Sequence, residues 1–378
     1  MSKTKRFPFN LQEASIEEKK NYFLKRNVNH PILHKVFLSV MEKIQSSSGG
    51  KLYLVFGPRG VGKSTLCSRV KDEVLKGNQT IIQNDKGVIP VISLELPSPD
   101  NGRFNWKDFY RRLLRELNEP LIDYKVSYSS NEAKNKIPNH YPSTAPELRE
   151  SLENAIIHRK TKIILLDESQ HLLKVAGAKG IQDQMDAIKS LANLTSSVFV
   201  MFGTYELIDF FDINGQLGRR TEEIHFRRYK IEDSQDLISF KSVINTFQTQ
   251  LPLTEDSNLI PKWEFMYERS IGCVGILKEW LNVCLIEALN KNLPKITEEL
   301  LIKHAPLPSK TLKIAEETIY GERKIDEQED SRSLLQNVLG LTKDREEDKN
   351  ENKKTLEKKI VGKRNPARDE IGITENGT

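Results

Sequence analysis

The chain has 378 residues, 37% of them hydrophobic and 29% charged, with a mean hydropathy of −0.52. Such a length suggests two to three structural units, and the composition excludes a collagenous or fibrous chain while leaving room for an unfolded part. Fifty-eight Lys and Arg against 53 Asp and Glu leave a net charge of +5, which permits a polyanionic partner without requiring one.

Cys67, Cys273 and Cys284 stand far apart and outside any Cys/His cluster, so neither a disulfide framework nor a zinc site is expected, and a reducing cytoplasm is the natural location. The first residues lack the apolar stretch of a secretory signal, and the longest apolar runs, 163–166 and 198–202, are strand-sized. Neither export nor a membrane partner is expected.

Residues 1–50 read as a helical lead-in, with Phe23, Leu33, Val36, Phe37 and Val40 spaced for a buried stripe that ends at Gly49 and Gly50. In 51–230, apolar runs at 52–56, 88–94, 163–166, 198–202 and, more weakly, 224–226 alternate with helical patterns. That alternation predicts an α/β fold with a parallel sheet flanked by helices. Residues 231–305 carry only helical spacing, in Leu237, Val243 and Phe247 and again in Leu277, Trp280, Leu281 and Leu285, and are expected to form a small α-helical lid. Segment 306–378 opens with Pro306 and Pro308, and half of residues 341–378 are charged, none aromatic. It is expected to be a charged, largely disordered tail, either solvated or folding on a protein partner.

Gly57, Pro58, Arg59, Gly60, Val61, Gly62, Lys63 and Ser64, followed by Thr65, fit GxxxxGK[ST] between a strand and a helical stretch. Glycines there let the chain curl so that amides converge on a phosphate, and the following helix adds the positive end of its dipole. Lys63 would reach the β and γ phosphates of ATP, and the Ser64 hydroxyl would ligate Mg2+. The apolar run 163–166 ends in Asp167 and Glu168, at the strand end where open parallel sheets bind ligands. Asp167 would hold the magnesium shell and Glu168 would orient the attacking water. Thr204 follows the run 198–202 and is placed to report on the γ-phosphate.

With the P-loop, the Gln170-His171-Leu172 continuation of the acidic pair, the Gly203-Thr204-Tyr205-Glu206-Leu207 segment and the Gln216 to Arg220 run, the chain resembles the AAA+ ATPases of the transposition-regulator group, comprising TnsC, TniB and MuB, over residues 30–305. The resemblance implies ATP-dependent assembly into rings or filaments on duplex DNA, a target-selection adaptor on one side and a transposase on the other. It also implies that Arg219 or Arg220 is an arginine finger toward a neighbouring copy's nucleotide. Related lids carry a sensor arginine where this chain offers Lys278, a weak substitute.

Lys107, Arg111 and Arg115 recur on the polar side of a predicted helix, 106–117, that Asn105 could cap and whose other face holds Trp106, Phe109, Tyr110, Leu113, Leu114 and Leu117. With Arg103 and the basic loop that bears Lys174 and Lys179, this stripe is the candidate DNA contact, sequence-tolerant and salt-sensitive. Two other classes share the nucleotide motifs. Signalling NTPases of the STAND type usually append a sensor repeat, and replication-initiator or helicase-loader-like ATPases commonly append a winged helix, whereas only a charged tail follows here.

Overall fold

The computed structural model of the protein describes residues 7–8, 11, 13–99, 102–124, 144–174, 177–208 and 221–339. Residues 1–326 form one compact unit and 327–378 a second.

Five strands, β1 (Leu52–Phe56), β2 (Val91–Glu95), β3 (Ile163–Asp167), β4 (Val198–Gly203) and β5 (Thr221–His225), make one sheet in the order β2-β3-β4-β1-β5, parallel throughout. Both faces are covered, so β1, β3 and β4 are apolar at nearly every position rather than alternating with polar residues, while the edge strand β5 carries Thr221, Glu222, Glu223 and His225. Tyr53, Val55, Leu165, Val200 and Phe202 face one apolar cluster; Leu52, Leu54, Phe56, Ile164, Leu166, Phe199 and Met201 face another. The register sets Phe56 beside Gly203 and His225, and Glu95 beside Asp167. The residues that leave all five strands therefore emerge at one edge of the sheet.

The second cluster is closed by α5 (Trp106–Glu116), α6 (Ala145–His158) and α7 (Gly177–Thr195). The first is closed by α1 (Ile16–Lys25), α2 (Pro31–Ser46) and α3 (Lys63–Gly77), with a short α4 (Gln79–Asn84) following. The same cluster takes in α8 (Ser234–Gln250), α9 (Trp263–Ser270), α10 (Val274–Asn290) and α11 (Glu298–Lys303). No helix among the described residues is long and apolar enough to cross a membrane.

Two expectations are corrected. The second strand starts at Val91, not Val88: Pro90 has no N–H for a ladder, and its carbonyl instead accepts from Lys162 and Ile163. Residues 308–338, expected to be largely disordered, form one helix, α12 (Pro308–Val338). Composition misled because this helix docks through few and mostly polar side chains. Thr311, Thr318 and Glu322 are buried, spaced seven and four apart as one helical stripe, and Gly321 lies against the ring of Tyr205.

Two histidines are folded in as neutral rings. His30 caps α2, its Nδ1 accepting the Leu33 N–H at 3.4 Å beside the Tyr229 hydroxyl at 3.0 Å. His225 stacks on Phe56 and meets the Tyr205 hydroxyl at 3.0 Å. Burial pushes both down to about 4. Because the unfolded chain takes up these protons near pH 6.5 and the folded one only near 4, stability holds above pH 6.5 and falls as pH drops between those values, by about 3 kcal/mol per histidine at most. Denaturant titrations at pH 7 and pH 5 should show this fall, and His30→Asn, which keeps a capping side chain, should lessen it.

Candidate nucleotide-binding site

The β1–α3 loop is shaped for close approach. Gly62 has φ +117° at the N-terminus of α3, a backbone that other residues rarely adopt. Lys63, buried, donates from Nζ to the carbonyls of Gly57 (3.0 Å) and Pro58 (2.9 Å). Burial lowers its ammonium to about 8, against the pull of Glu168 and Asp167. The Ser64 hydroxyl hydrogen-bonds the Asp167 carboxylate, which burial raises while Ser64 and the Glu168 N–H hold it down. β3 delivers Asp167 to this point, and Glu168 then turns into the left-handed region, φ 54° and ψ 37°.

These groups border a cleft of about 510 Å³ lined by Arg59, Lys63, Ser64, Glu168, Thr204 and Glu279, among others. Thr204 Oγ1 and His171 Nδ1 are buried without a hydrogen-bond partner among the described residues, and both residues line the cleft. Orphaned polar atoms of this kind call for a polar occupant. A cradle of loop amides, a buried lysine, and a hydroxyl–carboxylate pair fit a polyphosphate with a divalent cation.

On the lid side, the Gly275 N–H donates to the Gly60 carbonyl at 2.7 Å, so the first turn of α10 abuts the loop. Lys278 points elsewhere: its Nζ donates to the Leu24 carbonyl (2.9 Å) and Asn27 Oδ1 (3.1 Å). The cleft instead receives Glu279, four residues beyond Gly275 and so on the same helical face. That i, i+4 relation was present in the sequence and would have found it. α12 also borders this region. Glu317 lies 3.9 Å from Arg59, and Glu322 makes a two-pronged pair with Arg228 at 3.1 and 3.2 Å. Arg219 and Arg220 lie outside the described residues.

A second cleft, about 380 Å³, opens where β2 leads into α5, and Arg103, Lys107, Arg111 and Arg112 line it. Asn105 caps α5 by accepting the Asp108 N–H at 3.1 Å, and Phe109, Tyr110, Leu113, Leu114 and Leu117 are buried while Trp106 is half-buried. Lys174 is tied to the wall of this cleft by its 3.1 Å bond to Ser98. Arg115 and Lys179 are exposed and do not line it. The stripe is partly neutralised, since Arg111 pairs with Asp123 and Arg112 with Asp108, each at 2.6 Å.

Residues 45–211 match the family model described as AAA domain. No curated protein is significantly similar in sequence. Among solved structures, the chain is similar to the ORC2 protein of Aeropyrum pernix, at 12% identity over 75% of this chain and 70% of that one, with a TM-score of 0.50. A Walker-type ATPase of Pyrococcus abyssi shares 18% identity over 81% and 83%, with a TM-score of 0.45. The RuvB Holliday junction branch migration motor of Thermotoga maritima shares 12% over 75% and 72%, with a TM-score of 0.36. At 12% identity, the likeness to the first of these is one of fold alone. The parallel α/β core of this chain thus has the fold of a P-loop AAA domain, with residues 45–211 matching the model of that domain.

Proposed function

We propose that the chain is a magnesium-dependent ATPase that assembles as a ring or filament on duplex DNA. In this reading it regulates DNA transposition by linking a target-site selector to a transposase, and ATP hydrolysis ends the assembly. The observation that carries the reading is spatial. The phosphate-shaped cleft follows β1 and β3, the basic cleft follows β2, and all three strands end at one sheet edge. The transposition role is supported by the resemblance of the DE-x-QHL and GT-x-EL segments to that group.

Ser64 and Asp167 would hold the magnesium ion, which when bound neutralises charge on the phosphate oxygens. Lys63 is released from the Gly57 and Pro58 carbonyls to the β and γ phosphates. Glu168 orients the attacking water, and Thr204 senses the γ-phosphate. Arg219 or Arg220 of a neighbouring copy would complete the site. Arg103, Lys107 and Arg111 would follow the DNA backbone, with Lys174 beside them; Arg115 and Lys179 sit outside the cleft and are weaker contacts.

Electron microscopy with ATP and a random-sequence duplex tests the assembly: regular rings or filaments support it, and no DNA association at low salt overturns it. Lys63→Ala should abolish ATP-dependent assembly. Reversing Lys107 and Arg111 to Glu should weaken binding on every duplex sequence alike and reduce the salt slope of log K by about 0.9 for each phosphate that is no longer neutralised. Fluorescence anisotropy over a salt series measures this. An unchanged affinity and slope would remove DNA from that cleft.

A further inference from the structure

Gln170 lies just past Glu168 in the 3-10 turn Ser169–Leu173 and is 4% exposed. Its side-chain amide spans two elements. Nε2 donates to Glu168 Oε2, and Oε1 accepts the backbone N–H of Thr204 at 3.3 Å. Since a carboxylate here accepts and an N–H donates, only one orientation of the amide satisfies both partners. The end of β4 is built around it. A Cβ on Gly203 would come within 2.8 Å of Gln170 Oε1 and 2.7 Å of Leu207 Cδ1, so a side chain here would displace the amide or the leucine.

Glu168 needs such a hold. Its backbone is in the left-handed region and its N–H is turned back onto Asp167 Oδ1 at 2.9 Å, which leaves the side chain to be placed by what it touches. A buried amide anchored on β4 selects one carboxylate position among several rotamers. It also ties that position to Thr204, which lines the cleft.

We infer that Gln170 is a positioning residue for ATP hydrolysis, holding the Glu168 carboxylate toward the attacking water and linking its placement to the end of β4. The inference rests on the ATPase reading above. In that step Glu168 takes a proton from the water whose oxygen bonds to the γ-phosphorus as the phosphorus bond to the ADP oxygen breaks. Because it is the Thr204 backbone that meets Gln170, the link is independent of the Thr204 side chain.

The test measures steady-state ATP hydrolysis, affinity for a fluorescent ATP analogue and Tm for the unaltered chain, Glu168→Gln, Gln170→Met and Gln170→Ala. Methionine fills nearly the same volume and removes both hydrogen bonds; alanine guards against a thioether that packs badly. The expected result is a kcat about 10²-fold lower in both Gln170 variants, the size of effect that a 1 Å misplacement produces, with KM and Tm nearly unchanged. A kcat within about twofold of the unaltered chain, or a loss matched by a rise in KM or a fall in Tm, overturns the inference. If Glu168→Gln hydrolyses ATP normally, the role of Glu168 falls and this inference with it. If Glu168→Gln is inactive and both Gln170 variants are active, only this inference falls.

Discussion

Glu168→Gln is expected to bind ATP with nearly unchanged affinity while losing about 10²- to 10⁴-fold in turnover, the range that a positioned acid–base group contributes. The substitution preserves shape and hydrogen-bonding length but removes the charge that polarises water, so the loss belongs to kcat and not to KM. On the proposed function, assemblies formed with ATP should then be long-lived, because the hydrolysis proposed to dismantle them is blocked. Equilibrium nucleotide binding and phosphate release, measured on the same preparation, separate the two effects. Normal phosphate release would return the assignment of the water-orienting group to another residue at the cleft, such as His171, whose Nδ1 has no partner among the described residues.

Glu322→Ala is expected to cost about 3–5 kcal/mol of stability, the penalty for breaking a buried ion pair from one side. Arg228 and Glu322 are 14% and 9% exposed at the side chain, and Arg228 also donates to the Tyr267 hydroxyl at 3.0 Å. Removing the carboxylate leaves a guanidinium out of water without its counter-charge. Replacing both members by Met should cost much less, since the desolvation penalty then disappears with the charges. Denaturant unfolding measures the first claim. Limited proteolysis reports the second consequence, earlier cleavage within 308–326 as α12 loses the pair that docks it. Equal stability of the single and double variants would show that packing of Thr318 and Gly321, not the ion pair, holds the helix.

Much of the fold was legible because burial on both sheet faces writes itself into the chain as short unbroken apolar runs, and β1, β3 and β4 were read almost to the residue. β2 was displaced by the missing N–H of Pro90. The P-loop and the Asp167–Glu168 pair were legible for a different reason: phosphate and magnesium chemistry demands those residue types at fixed spacing. Lys278, expected to be only a weak substitute for a sensor arginine, binds Leu24 and Asn27 instead; Gly275 fixes the face of α10 that meets the loop, and Glu279 shares it. Of the basic residues singled out after the second strand, Arg103, Lys107 and Arg111 line one cleft while Arg115 does not, and Arg112 joins them.

What the sequence alone determined is the set of local chemistries: an α/β alternation, a phosphate loop, a carboxylate pair at a strand end and a run of basic side chains after the second strand. Each depends on neighbours within a few residues, where spacing and secondary structure decide geometry. Only the tertiary structure decided which distant groups share a space: Gln170 between Glu168 and Thr204, Glu279 in place of Lys278, and the seating of α12 on Tyr205 and Arg228. Such pairings join residues 94 positions apart, as Arg228 and Glu322 are, and farther, as Tyr205 and Gly321 are. They follow from the sheet register and from which buried polar group finds a partner, neither of which is encoded by composition or period.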